Sequence, residues 1–326
     1  MKKIFIIFLL LFLTFFIFIF NHKKEVKSNK IKLAEVTHSI FYAPLYVAIE
    51  NGYFKENGID LELVLASGAD KVSAAVLSGD VQIGFAGSES AIYIYNGGEK
   101  DYLKIFSGLT KRDGQFIISR TSNDNFKLDD LVGKEVLVGR KGGMPSLNFI
   151  NALNKNNIDP NKVKINYDID FASLSGAFIS GKGDYVNLFE PNASLLEKNK
   201  KGYILTSIGK YSGEMPYTTF YARKSYIQNN DKIIKDFVNS ISKGLEYVSS
   251  HSAKDIAKVI SKQFPDNSIN DLEIMVQNYK DADSWLMNSY VSEESFNNLQ
   301  DLLLNNNLID KKISFNKLVK NYEKQK

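Results

Sequence analysis

The side chains able to do chemistry fall in four short stretches, each following a run that reads as a strand. Thr37-His38-Ser39-Ile40-Phe41-Tyr42 offers hydroxyls, an imidazole and two aromatic faces. Gly87-Ser88-Glu89-Ser90 sets a carboxylate among small polar residues. Residues 139–146 are glycine-rich, carry Arg140 and Lys141, and end in Gly143-Met144-Pro145-Ser146. Glu190 stands immediately before Pro191, and Thr110 and Tyr217 lie where the chain passes between its halves. In an open α/β sheet, ligands sit beyond the carboxyl ends of strands and near helix N-termini. These groups suit binding more than bond breaking. Hydroxyls and backbone N–H groups hold oxygens, and a carboxylate holds an ammonium, an amidine or a ring N–H by charge-assisted hydrogen bonds.

The parts needed for reaction chemistry are missing. The chain has no Cys, which removes thiol nucleophiles, thiolate zinc sites, disulfides and thiol redox chemistry. His22, His38 and His251 are too scattered for a histidine metal cluster, so neither a metal nor another cofactor is expected. No G-x-S-x-G, H-E-x-x-H or dinucleotide fingerprint occurs, and no Gly-Lys-Ser/Thr closes residues 139–146 into a phosphate loop. Each stretch also has a purely structural use. Thr37, Ser39 or Ser88 fits a helix cap, Phe41 a core position, and Glu89 the favourable end of a helix dipole. Pro145 fits the first position of a helix after an ordinary loop, Glu190 is a charge at a helix start, and Trp285 is read as packing.

The elements that must position these groups alternate strand and helix, the pattern of an α/β fold. Ile31–Val36 reads as a strand, and Tyr42, Leu45, Tyr46 and Ile49 then recur at helical spacing up to Gly52. Strands follow at Ile59–Leu65, Val81–Phe85, Tyr102–Leu109 and Phe116–Ser119, with helices at Ala69–Leu77 and Ser88–Tyr95 between them. A second series has strands at Glu135–Val138, Val163–Tyr167, Tyr185–Leu188, Tyr203–Ser207 and Tyr217–Ala222. Its helices begin at Pro145 or Ser146, at Phe171 and at Pro191. After Ser225 the pattern is helical only, with stretches near 253–262, 268–279, 293–304 and 314–322 and apolar stripes suited to covering the first lobe. The division expected is residues 31–113 plus 220–326 as lobe I and 114–219 as lobe II. Two crossings, near 110–116 and 206–220, make a hinge, and a hinge between two lobes makes a closing cleft.

The formal charge of +4 over 326 residues is unevenly spread. Residues 1–30 hold a net +5, leaving 35 basic and 36 acidic side chains for the rest, so no basic surface for a nucleic-acid backbone is implied. Lys2-Lys3 precede an apolar run from Ile4 to Phe20, the layout of an export signal. With no small-x-small cleavage site behind it, residues 1–30 are read as a signal peptide or an uncleaved anchor with a Lys-rich tether.

Several runs together resemble a known family. Phe41-Tyr42-Ala43-Pro44-Leu45-Tyr46-Val47-Ala48 is followed by Gly52-Tyr53-Phe54 and Gly58-Ile59-Asp60-Leu61. Next come Leu77-Ser78-Gly79-Asp80-Val81-Gln82-Ile83-Gly84, then Leu128-Asp129-Asp130-Leu131-Val132-Gly133-Lys134, then Phe189-Glu190-Pro191. In order and spacing these resemble the NMT1/THI5-like and sulfonate/taurine/nitrate-type solute-binding proteins of ABC importers, over residues 31–250. Gln82 replaces the family's second acid, and no Cys is present for a lipid anchor or for the Cys-rich motif of the pyrimidine-making enzymes. The resemblance implies a type II periplasmic-binding-protein fold and no enzymatic activity. It implies a monomeric extracytoplasmic receptor that closes on a small molecule and docks on a permease coupled to ATPase subunits.

The site expected from these readings comprises His38, Ser39, Phe41, Tyr42, Ser88, Glu89, Thr110, Gly143, Met144, Ser146, Glu190 and Tyr217. Glu89 and Glu190 would repel a pure anion and favour a nitrogen-bearing solute such as an aminopyrimidine. A sulfonate, taurine or nitrate is the alternative, with Arg112, Arg140, Lys141 or helix N-termini as donors. A ligand-sensing ectodomain and a pyrimidine-synthase enzyme are the readings of another class. The second lacks the thiols and paired His it would need.

Overall fold

The computed structural model describes residues 28–325. Two five-stranded sheets organise the chain. The first has the order β2 (Ile59–Leu65), β1 (Asn29–Glu35), β3 (Ile83–Gly87), β10 (Thr218–Arg223), β4 (Leu103–Thr110). The second has the order β7 (Lys164–Asn166), β6 (Glu135–Leu137), β8 (Tyr185–Leu188), β5 (Phe116–Ser119), β9 (Tyr203–Ser207). In each, four strands run in one direction and the fifth, β10 or β5, is inserted antiparallel between its neighbours. Both inserted strands adjoin a crossing between lobes; the second sheet lies wholly between the crossings, while the first is complete only when the chain has passed back and added β10.

Helices cover these sheets because parallel strands need apolar cover on both faces. The five residues of β3 are all buried. The 20-residue helix Asp231–Ser250 turns Ile234, Phe237, Val238, Ile241, Leu245 and Val248 inward, a stripe at helical spacing. It packs against the helix Ala43–Glu50. A Cβ at Gly244 would collide with the carbonyl oxygen of Pro44, so glycine is what permits the close approach. The helices Ala253–Ile260 and Ile269–Asp281 pack on each other, and the second reaches the 3-10 turn Ile40–Tyr42. The C-terminal helices therefore cover the first lobe, as expected. Helix Glu293–Asn305 additionally touches helix Met144–Lys155 of the second lobe.

Several boundaries differ from the sequence reading. β3 begins at Ile83 rather than Val81, because the Val81 N–H bonds back to the carbonyl of Ala75 and the Gln82 side chain accepts from the N–H of Lys32. β1 begins at Asn29, inside the stretch read as tether. β10 begins at Thr218, which pairs with Gly87 and Thr110 while Thr219 pairs with Ala86, so the second crossing ends before residue 219. The helix expected at 314–322 is only Phe315–Leu318, since Val319 leaves it to bridge Ile105 of β4. The apolar run 4–20 lies outside the described residues. Among those described, no helix is long and apolar enough to cross a membrane.

Residues 111–115 and 208–217 form the crossings and run side by side. Tyr217 N–H donates to Thr110, Met215 to Lys111 and Ile208 to Gln115. Arg112 pairs with Glu214 at 2.9 Å and Lys111 with Asp283 at 2.9 Å. These exposed pairs tie the two crossings to the C-terminal layer.

Candidate functional site

The carboxyl ends of β1, β3 and β4 face those of β6 and β8, and the lobes are in contact there. Phe41 lies at the centre. Its ring is 5.3 Å from Phe189, 5.7 Å from Tyr217 and 5.1 Å from Tyr279. Trp285 Nε1 donates to the Phe41 carbonyl at 2.8 Å, so the single Trp braces the aromatic cluster from the C-terminal layer. Ser39 Oγ accepts from the Phe41 N–H at 3.2 Å and donates across the cleft to the Glu190 carbonyl at 2.5 Å. Glu190 N–H donates to Tyr279 Oη at 2.9 Å, and Tyr93 Oη donates to the Gly142 carbonyl at 2.9 Å.

Three carboxyl groups are buried at this contact: Glu89, Asp113 and Glu190. Burial pushes Glu89 up to about 7, although the backbone N–H groups of Glu89, Met144 and Ser90 and the charge of Arg140 pull the other way. Burial also pushes Asp113 up to about 7, opposed by hydrogen bonds from the Gln115 backbone and side chain. Gln115 N–H donates to Asp113 Oδ1 at 2.6 Å. Glu190 is likewise raised by burial, but its oxygens are committed: they accept from Ser194 N–H at 2.8 Å, Ser194 Oγ at 2.7 Å and Asn278 Nδ2 at 2.8 Å. No Lys or Arg among the described residues is buried. Glu89 Oε2 and Thr218 Oγ1 are buried with no hydrogen-bond partner among the described residues. The phenol groups of Tyr42 and Tyr217 are held neutral by burial, with Glu89 adding to the effect on both and Asp113 on Tyr217.

The structure brings Ser39, Phe41, Tyr42, Glu89, Gly143, Met144, Glu190 and Tyr217 to the lobe contact. A Cβ at Gly87 would overlap Glu89 Oε2 and approach Met144 Cγ to 2.7 Å, so glycine lets the lobe II helix sit on the end of β3. Four candidates are placed otherwise. His38 turns into lobe I, with Nδ1 at 2.8 Å from Glu35 Oε1 and Nε2 at 2.9 Å from the Gln263 carbonyl. Burial lowers its pKa, but Glu35 and that carbonyl together outweigh the burial and raise it. Ser88 does not cap the helix Glu89–Asn96. Its hydroxyl donates to the Pro216 carbonyl and lies 3.0 Å from Thr219 Oγ1, because the second crossing passes directly over it. Thr110 Oγ1 accepts from Thr218 N–H at 2.9 Å. Ser146 Oγ donates to the carbonyls of Arg140 and Gly143, folding the loop onto itself.

Sequence reasoning missed Asp113, Gln115, Asn148 and Asn187, all fully buried and polar. Two signals were available. Asp113-Gly114-Gln115 lies in an expected crossing, and Asn187 interrupts the otherwise apolar Val186-Asn187-Leu188-Phe189. A carboxamide inside a strand that must be covered on both faces needs a reason.

A family model described as NMT1/THI5 like matches residues 40–254. The chain is 42% identical over 298 residues to YtlA of Bacillus subtilis (strain 168), a protein named as a candidate binding protein. The match spans 91% of this chain and 89% of that one. Among solved structures, the alkanesulfonate-binding protein SsuA from Xanthomonas axonopodis pv. citri bound to MOPS superposes with a TM-score of 0.71 at 15% identity, covering 90% of this chain and 98% of that one. A Candida albicans protein described as having the generic periplasmic binding protein fold gives 0.66 at 15% identity, covering 90% and 96%. The periplasmic nitrate-binding protein NrtA from Synechocystis PCC 6803 gives 0.59 at 15% identity, covering 75% and 69%. With the matched model spanning well over half the chain and the two-lobed architecture shared, the chain belongs to the NMT1/THI5-like family and has the periplasmic-binding-protein fold.

Proposed function

We propose that the protein is the extracytoplasmic solute receptor of an ABC importer, and that its solute is a small nitrogen-bearing organic molecule of the aminopyrimidine kind. The observation that carries the solute class is the charge inventory of the lobe contact. Glu89 and Asp113 are buried there among Phe41, Tyr42 and Tyr217, with no buried Lys or Arg to accompany them. Such a site rewards a planar molecule with N–H donors or a positive charge. It works against a sulfonate or nitrate, which would have to be buried beside like charges. In this reading residues 111–115 and 208–217 are the hinge between lobe I and lobe II. The solute bridges both lobes and shifts the population toward the closed form. The closed receptor docks, as a monomer, on a membrane permease whose ATPase subunits drive transport. The residues before β1 hold it at the outer face of the membrane or are removed on export.

Calorimetry with 4-aminopyrimidine, cytosine, taurine, methanesulfonate and nitrate tests the solute class. Binding of the aminopyrimidine-type probes is expected, with at least a tenfold loss of affinity in Glu89→Gln at pH about 8, where the wild-type carboxylate is ionised. Binding of the anions alone would overturn the solute class and leave the receptor role standing. An absence of solute-linked compaction in solution scattering, with a probe that binds, would overturn lobe closure.

A further inference from the structure

The second lobe carries three buried carboxamides whose hydrogen-bonding capacity its own fold leaves wholly or partly unused. Asn187 lies on β8, where it pairs with Ile117 of β5. Ile117 belongs to the small core beneath helix Met144–Lys155, together with Val138 and Phe149, and cross-strand partners share a face. Asn187 therefore faces that helix from the middle of the sheet. It is fully buried, and neither its Oδ1 nor its Nδ2 has a hydrogen-bond partner among the described residues. Gln115, immediately before β5, donates from Nε2 to the Pro145 carbonyl at 3.2 Å and to Asp113 Oδ2 at 3.1 Å and leaves Oε1 unpaired. Asn148 donates to the Met144 carbonyl at 3.0 Å and leaves Oδ1 unpaired. Both are fully buried. Gln115 and Asn148 thus meet the first turn of a 12-residue helix whose N-terminus also meets Glu89, and Asn187 lies on the sheet face beneath that helix.

Buried polar groups without partners cost stability, and each calls for a reason to be kept, of which a bound molecule that supplies the missing partners is one. We propose that Asn187 is a specificity-determining residue of the solute site. It reads an edge that sets one hydrogen-bond donor beside one acceptor, as in an aminoazine, amide or urea, and Gln115 and Asn148 supply further acceptors for N–H groups. The proposal rests on the receptor reading above and narrows its solute class. It also places the decisive contact on a strand of lobe II rather than on the acids themselves.

The test uses the full chain, its Asn187→Leu and Asn187→Asp variants, and calorimetry with cytosine, 4-aminopyrimidine and taurine, alongside thermal melts without solute. Wild type is expected to bind the two donor–acceptor probes. Asn187→Leu should lose at least tenfold in affinity while melting at the same temperature as wild type or higher, because two unpaired polar groups are replaced by an apolar one of similar volume. Asn187→Asp, which keeps the shape and exchanges the donor for an acceptor, should lose affinity comparably and guards against a packing fault in the leucine variant. Wild-type affinity within twofold in both variants would overturn the role of Asn187 and leave the solute class intact. Wild type binding taurine alone would overturn this proposal and the solute class together, and wild type binding none of the three would do the same. A marked drop in the melting temperature of both variants, with affinity for the probes unchanged, would show Asn187 to be structural and overturn the proposal.

Discussion

The two lobes share a sheet plan and differ in what stands behind it. In lobe I the sheet is clamped between its own helices and the whole C-terminal layer, and its aromatic side chains form a continuous network. Phe237 contacts Phe54, Phe106 and Phe220 at ring distances of 5.0, 5.7 and 5.2 Å. Its buried polar groups are largely partnered: Glu35 takes a hydrogen bond from Tyr46 at 2.7 Å and contacts His38. Lobe II has a small separate core under helix Met144–Lys155, built on Ile117, Val136, Val138, Phe149 and Leu153. Its unpaired polar atoms cluster next to that core. The asymmetry is one of degree, since lobe I also leaves Glu89 Oε2 and Thr218 Oγ1 unpaired at the lobe contact. In the proposed receptor role, the lobe that closes over the solute can be the smaller one.

The comparison can be broken most sharply through the cores. Phe237→Ala in lobe I should cost about 3–5 kcal/mol in denaturant unfolding. Because β10 completes the first sheet only after the chain has passed through lobe II, amide protection should fall in both lobes together. Phe149→Ala should fall at the lower end of that range, with lost protection confined to lobe II. Equal, global losses from both variants would remove the distinction.

A smaller effect sharpens the electrostatic side. Glu89 and Asp113 have folded-state values near 7, above their ordinary 4.5 and 3.8. The folded protein therefore binds more protons than the unfolded chain between those values. Their contribution to stability is complete below the ordinary range and is lost as pH rises through about 7. His38, also raised, has the same sign. The melting temperature should fall between pH about 5 and 8, and Glu89→Gln/Asp113→Asn should flatten that slope. A slope unchanged in the double variant would assign the pH dependence elsewhere. A cationic solute would reverse the cost, so its affinity should rise over the same interval with proton release.

The least effect is expected at the hinge surface. Arg112 pairs with Glu214 and Asp283, which are 51% and 60% exposed at their side chains, so Arg112→Ala should cost about 1 kcal/mol or less. A larger loss in thermal unfolding would show that the crossings carry stability beyond their backbone hydrogen bonds.

Much of the architecture was legible in the sequence because it depends on local periodicity. Tyr42, Leu45, Tyr46 and Ile49 mark one helix face wherever they occur. Ile234, Phe237, Val238, Ile241, Leu245 and Val248 mark another, and the strand–helix alternation implies two α/β lobes. The lobe contact was legible only where it coincides with strand ends. Glu89, Phe41, Tyr42 and Tyr217 were placed at that contact in this way. Ser88, His38, Thr110 and Ser146 satisfied the same rule and turned out to hold loops and crossings in place.

The alternation of elements, the apolar faces and the absence of thiol chemistry were therefore readable along the chain. Those follow from residue type and from spacing along one segment. Which polar groups remain unpaired was settled by contacts between distant segments. Whether Glu190 is free or bound to Ser194 and Asn278 depends on a residue 88 positions away. Whether Asn187 has a partner depends on which helix covers its strand. Hydrogen bonds are short and directional, so satisfaction is settled by neighbours in space, and a chain read in order does not show who those neighbours are.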